Sequence, residues 1–103
     1  MPDYQKSIIY KLVCNVSGKC YIGSTTHGIK KRVSGHEAHY KHYLKGDYHY
    51  VTSFDILKNG NYNCCLIEKY PCDNKIDLHI RERSHIVAHK HKCVNKLMPC
   101  KEK

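Results

Sequence analysis

Tyr10, Tyr21, Arg32, His36 and Glu82 are the residues whose types and spacing could do chemistry together. Arg32 and His36 stand at i,i+4, so a helix would place them on one face, a turn apart. A guanidinium offers a fixed fork of donors for a phosphate, and an imidazole one turn on could relay a proton. Glu82 falls about 40° around a helix from Ile86, beside an apolar stripe, where a carboxylate can reach a cleft floor. One such carboxylate suffices for Mg²⁺, which fills its shell with water and substrate oxygens. Hydrolysis of a phosphodiester needs this kind of set: a cation on the phosphate, an activated water, and relief of charge on the leaving oxygen. Tyr10 and Tyr21 add two phenols to this set. A free tyrosine is a poor base, so a metal and Arg32 would have to lower its pKa. Each group also has a plainer explanation. Tyr10 and Tyr21 could be cross-strand packing. Arg32 follows Lys30 and Lys31 on what could be a solvated basic face, and Glu82 between Arg81 and Arg83 could be a weak surface pair.

The elements that must position these groups follow from period and punctuation. Ser7 to Cys14 (SIIYKLVC) is β-branched and aromatic with apolar residues on both faces, and predicts a central strand. Asn15-Val16-Ser17-Gly18 is a turn, with glycine where positive φ is needed, and Lys19 to Gly23 is the return strand. If the loop is those four residues, Cys14 pairs with Lys19, Leu12 with Tyr21 and Tyr10 with Gly23. Tyr10 and Tyr21 then share a face as diagonal neighbours, a register that a one-residue change of loop would reverse.

Ile29 to about Leu44 predicts a helix with Ile29, Val33, Tyr40 and Leu44 as its stripe, despite Gly35, which costs about 1 kcal/mol relative to alanine. Gly46-Asp47 ends it. Val51 to Lys58 predicts a short helix closed by Asn59-Gly60, and Tyr62 to Tyr70 a third strand stopped by Pro71. Asp73 is placed to cap a last helix running to about His91, with Ile76, Ile80 and Val87 as its stripe and Ile86 at the flank. Cys93 to Lys103 reads as irregular. The order β-β-α-α-β-α implies an α+β domain, a small three-stranded mixed or antiparallel sheet flanked by helices. One domain over residues 1–103 is expected, with its core at about 7–95 and a basic tail at 96–103.

Composition narrows the partners. Lysine and arginine total 18 against 9 acidic residues, a formal charge of +9, which favours a polyanion through counterion release. Charge alone does not separate DNA from RNA or an anionic membrane surface. Nine histidines and nine tyrosines could stack on bases or contact phosphates, although tyrosine as core filler in place of tryptophan explains most of them. Seven cysteines, odd in number and without a secretion signal, are expected as reduced and mostly buried thiols. No run of about 18 apolar residues could span a membrane, and residues 1–6 carry no signal-peptide core. An intracellular protein of cytoplasm or nucleus, not secreted, is the expectation.

The motifs add a resemblance. Ser7-Ile8-Ile9-Tyr10, then ten residues, then Tyr21-Ile22-Gly23 resembles the paired motifs of the GIY-YIG nuclease superfamily on the expected hairpin. Ile8 replaces the usual, structural glycine of the first. Arg32 followed by His36 resembles the family's catalytic arginine and histidine. Ile80-Arg81-Glu82 resembles its Arg-Glu helix, and Cys93-Val94-Asn95 its final motif. The resemblance spans about Ser7 to Asn95 and implies a nuclease that hydrolyses DNA phosphodiester bonds with Mg²⁺ (or Mn²⁺) on Glu82. Tyr10 would help activate water, and Tyr21, Arg32 and His36 would complete the catalytic set. Gly23, His49 and Asn95 would support it, with Lys30, Lys31 and Arg81 on the nucleic acid. One site per chain suggests that a monomer nicks, and monomer against homodimer stays open. The rival is a non-catalytic basic nucleic-acid-binding module, with zinc on His85, His89, His91 and Cys93, although no Cys-x-x-Cys knuckle accompanies them. An inactive domain of the same superfamily, kept for binding, is a second rival.

Overall fold

The hairpin of β1 (Ile8–Cys14) and β2 (Cys20–Thr25) forms in the expected register: Tyr10 opposite Gly23, and Leu12 opposite Tyr21. Cys14 N–H closes the loop on the Lys19 carbonyl at 2.8 Å, and Gly18 takes φ 77°, a backbone state open to glycine without strain. The computed structural model describes residues 3–94. Asn95 and the basic tail 96–103 lie outside the described residues.

β3 (Tyr62–Lys69) pairs antiparallel with β1 and gives the order β2-β1-β3. β1 is therefore central, as its two apolar faces require. Side chains alternate across the strands, so the sheet has two different cores. Tyr10, Leu12 and Cys14 pack with Phe54, Ile56 and Leu57 under α1 (Ile29–Leu44) and α2 (Phe54–Leu57). Ile9, Cys20 and Ile22 pack with Leu78 and Ile86 of α3 (Lys75–Ala88) on the other side. The domain is α+β, with an antiparallel sheet between helices.

Several expectations shift. The buried face of α3 is Leu78, Glu82 and Ile86, not the stripe Ile76, Ile80 and Val87, whose exposures are 64%, 52% and 49%. Both sets recur at helical spacing on opposite sides of one cylinder, and the sheet takes the side with Leu78. Asn74 caps α3, its side chain accepting from Asp77 N–H at 2.9 Å, while Asp73 accepts from the Gln5 side chain. The helix stops at Ala88 rather than near His91. α2 is a single turn, and Leu44 stands 65% exposed while Tyr43 packs inward in its place. No helix among the described residues is long and apolar enough to cross a membrane.

Candidate active site

Arg32 and His36 leave α1 on its inner face and both reach one atom, the Tyr10 phenolic oxygen. Arg32 Nε donates to it at 3.3 Å, and His36 Nε2 lies 2.8 Å from it. The other imidazole nitrogen, Nδ1, is 3.1 Å from Ser53 Oγ. The Tyr21 ring stands edge-on to His36 with centroids 5.4 Å apart. The hairpin register thus places both tyrosines against one histidine.

Gly23 makes this packing possible. A Cβ built there would lie 2.5 Å from Tyr10 Oη and 2.7 Å from Cζ. Tyr10 is held by Arg32 and His36 and cannot swing aside without breaking those bonds. Gly23→Ala should therefore cost about 1–3 kcal/mol of stability. Displacing the phenol should lower any turnover that depends on it by roughly 10²-fold. Denaturant unfolding and turnover of the purified variant measure the two losses.

Glu82 comes from the opposite side of the sheet. It is 9% exposed, between Leu78 and Ile86, and Ser24 Oγ donates to its Oε1. Strand alternation turns Ser24 toward α3 and Tyr10, Tyr21 and Gly23 toward α1. β2 is an edge strand, and Arg32 from one half-site and Ser24 from the other line the same cleft. The half-sites are joined electrostatically: Arg32 favours the ionised forms of both Tyr10 and Glu82.

The protonation states follow from burial. Burial pushes the Tyr10 phenol well above its ordinary value, and Tyr21 adds to this while Arg32 opposes it. Tyr21 moves up for the same first reason. Burial raises the Glu82 carboxyl against the pull of Ser24 and Arg32. Burial draws Arg32 down, but Tyr10, Tyr21 and Glu82 outweigh it and the net shift is upward. Burial, then Arg32 and His39, lower His36 from 6.5 to about 4.

A neutral His36 fixes the order of donors. Arginine only donates, so Tyr10 Oη accepts from Arg32 and can give its own proton to His36 Nε2. Nδ1–H then faces Ser53 Oγ. The shift also has a stability consequence. The unfolded chain protonates His36 near 6.5 and the folded protein only near 4, so stability is lost as pH falls through that window. Between pH 7 and 5 the loss from this group is about 2 kcal/mol. Denaturant unfolding at the two pH values should show the wild type losing about 2 kcal/mol more than His36→Gln.

The remaining sequence candidates are dispersed. Lys30 and Lys31 are exposed on the first turn of α1. Arg81 is paired with Glu68 through both Nε and Nη2 and lies over the Tyr70 ring, so it is turned toward β3 rather than gathered with Glu82. His49 is exposed and stacks on Tyr48 at 4.4 Å. Asn95 lies outside the described residues. The zinc candidates are not gathered: His85 binds Glu68, His89 Nδ1 bonds the His85 carbonyl, and Cys93 lies against Cys20 at 3.7 Å. Among the described residues no three His, Cys, Asp or Glu side chains are grouped for a metal. Ser24 and Ser53 had no sequence signal. Each hydroxyl contacts a side chain from a distant element, and only the three-dimensional fold selects those partners.

No protein-family model matches the chain, and no curated protein matches it. Among solved structures it matches a mutant form of the catalytic domain of intron endonuclease I-TevI, a GIY-YIG homing endonuclease, with a TM-score of 0.66 and 26% identity. The match covers 90% of this chain and 95% of that one. This chain has the three-stranded, helix-flanked fold of a GIY-YIG endonuclease catalytic domain, the superfamily whose motifs its sequence resembles.

Proposed function

We propose that the protein is a divalent-metal-dependent endonuclease that hydrolyses DNA phosphodiester bonds at the edge of β2. The observation that carries the reading is that one cleft beside β2 is lined both by Arg32, which holds Tyr10 next to His36 on one side of the sheet, and by Ser24, which donates to Glu82 on the other. The name of the structural neighbour, an intron endonuclease, favours DNA.

The donor set fits a hard cation. A nearly buried carboxylate beside the Ser24 hydroxyl suits Mg²⁺ or Mn²⁺, which need few protein ligands, whereas zinc favours clustered Cys and His. Glu82 would hold the ion. When bound, it supplies Lewis-acid relief of charge on the phosphate and leaving oxygens.

The protein's own groups do the rest. Arg32 presents its guanidinium to a phosphate while its Nε holds the Tyr10 oxygen. Tyr10 Oη receives a proton from the attacking water as its own proton passes to His36 Nε2. Ser53 fixes the imidazole by holding Nδ1–H. Ser24 orients the Glu82 carboxylate. Burial of Tyr10 and His36 excludes bulk water from this relay.

The test is an end-labelled DNA duplex incubated with Mg²⁺, beside RNA of the same sequence. Cleavage of the DNA with sparing of the RNA supports the reading. Cleavage of RNA alone overturns the substrate. Retained DNA binding without cleavage, under any divalent ion, favours the binding-domain alternative.

A further inference from the structure

Beside the Tyr10–Arg32 cluster lies an open cleft of about 460 Å³ that shares Arg32 and Ser24 with the candidate active site. Its other walls come from the turn after β2, where His27 stands, and from the start of α3, where Lys75 and His79 stand. None of its lining residues is acidic. No ion pair engages Lys75 or His79 among the described residues. Burial first, and the nearby Lys75 second, disfavour the charged form of His79.

We infer that this cleft seats a DNA backbone phosphate neighbouring the scissile one, with Lys75 as its principal cation and His27 and His79 as flanking donors. The inference rests on the proposed nuclease reading and extends it to substrate binding. A strand running along the edge of β2 would leave its reacting phosphate at Arg32, and this cleft opens directly from that residue. Lysine serves as a mobile point charge for phosphate. Thr25 is not free to move: its Oγ1 accepts from His27 N–H at 3.0 Å, which fixes the turn carrying His27 at the rim. Backbone contacts of this kind set register without reading sequence.

The test compares Lys75→Glu with Lys58→Glu, which makes the same charge change at an exposed lysine outside the cleft. A glutamate in the first turn of α3 suits the helix dipole, so lost binding will not reflect a lost helix. Binding of a DNA duplex is measured over a salt series, and cleavage kinetics on the same duplex. For Lys75→Glu the dissociation constant should rise on the order of tenfold at physiological salt, with the slope of log K against log salt falling by about 1. KM should rise by a similar factor with kcat within about twofold. Lys58→Glu should change none of these by more than about twofold.

A Lys75→Glu effect no larger than that of Lys58→Glu overturns the inference, as does a loss confined to kcat. If wild-type protein binds DNA without cutting it, the nuclease reading fails, and the binding data still judge the cleft. If wild-type protein does not bind DNA, both fail.

Discussion

Arg32→Lys should lower kcat/KM for DNA cleavage by roughly 10²–10³-fold, although the positive charge is kept. The guanidinium does two things in different directions. Its Nε holds the Tyr10 oxygen at 3.3 Å, and the rest of its fork is left for a phosphate. A lysine ammonium is a point charge on a flexible stem and cannot do both at fixed geometry. Lysine keeps the charge but loses the Nε hydrogen bond, which together with that charge opposes the effect of burial at Tyr10. The loss should therefore fall on kcat, the sign of an interaction made mainly in the transition state. A mainly raised KM, with kcat intact, would reduce Arg32 to a ground-state phosphate contact.

Glu82→Gln should move activity and stability in opposite directions. Removing the ligand for the metal should cost several kcal/mol of transition-state stabilisation, about 10³-fold or more in kcat, with DNA affinity retained. The same change should make the metal-free protein more stable. Burial raises the Glu82 carboxyl, so this group's contribution to stability is full below the unfolded pKa and is lost as pH rises through the folded one. At neutral pH the ionised carboxylate opposes folding, and a neutral isostere relieves it. A Tm gain of a few degrees is expected at pH 7, shrinking as pH is lowered. Adding Mg²⁺ should raise the Tm of the wild type and leave Glu82→Gln unmoved, since only an intact site binds the ion. Thermal unfolding with and without Mg²⁺ checks each part. Equal Mg²⁺ shifts in both proteins would remove Glu82 as the ligand.

Much of this site was legible in the sequence where local rules act alone. The four-residue turn Asn15 to Gly18 set the register of the hairpin, and period-two alternation then placed Tyr10 and Tyr21 on one face. The i,i+4 spacing of Arg32 and His36 put both on the inner face of α1, where they share one oxygen. The orientation of α3 was not legible. Ile76, Ile80 and Val87 form one apolar set, Leu78 and Ile86 form another, and the choice is made by the sheet they meet. That rotation puts Glu82 within the buried face instead of beside it. The cap was missed by one residue because Asp73 and Asn74 can both accept from a helix N-terminus. Ser24 and Ser53 carry no periodic signature, and their roles exist only once α3 meets β2 and α1 meets the turn before α2. Arg81 adjoins Glu82 in the chain, but consecutive helical residues point about 100° apart, which sends it to Glu68.

The most direct test of the central claim is supercoiled plasmid incubated with Mg²⁺ and wild-type protein or Glu82→Gln, with binding to the same DNA measured on the same preparations. The expected result is nicked plasmid from the wild type, none with EDTA, none from Glu82→Gln, and equal DNA affinity for both proteins. Cleavage that persists in Glu82→Gln, or in EDTA, would contradict a metal-dependent nuclease centred on that carboxylate.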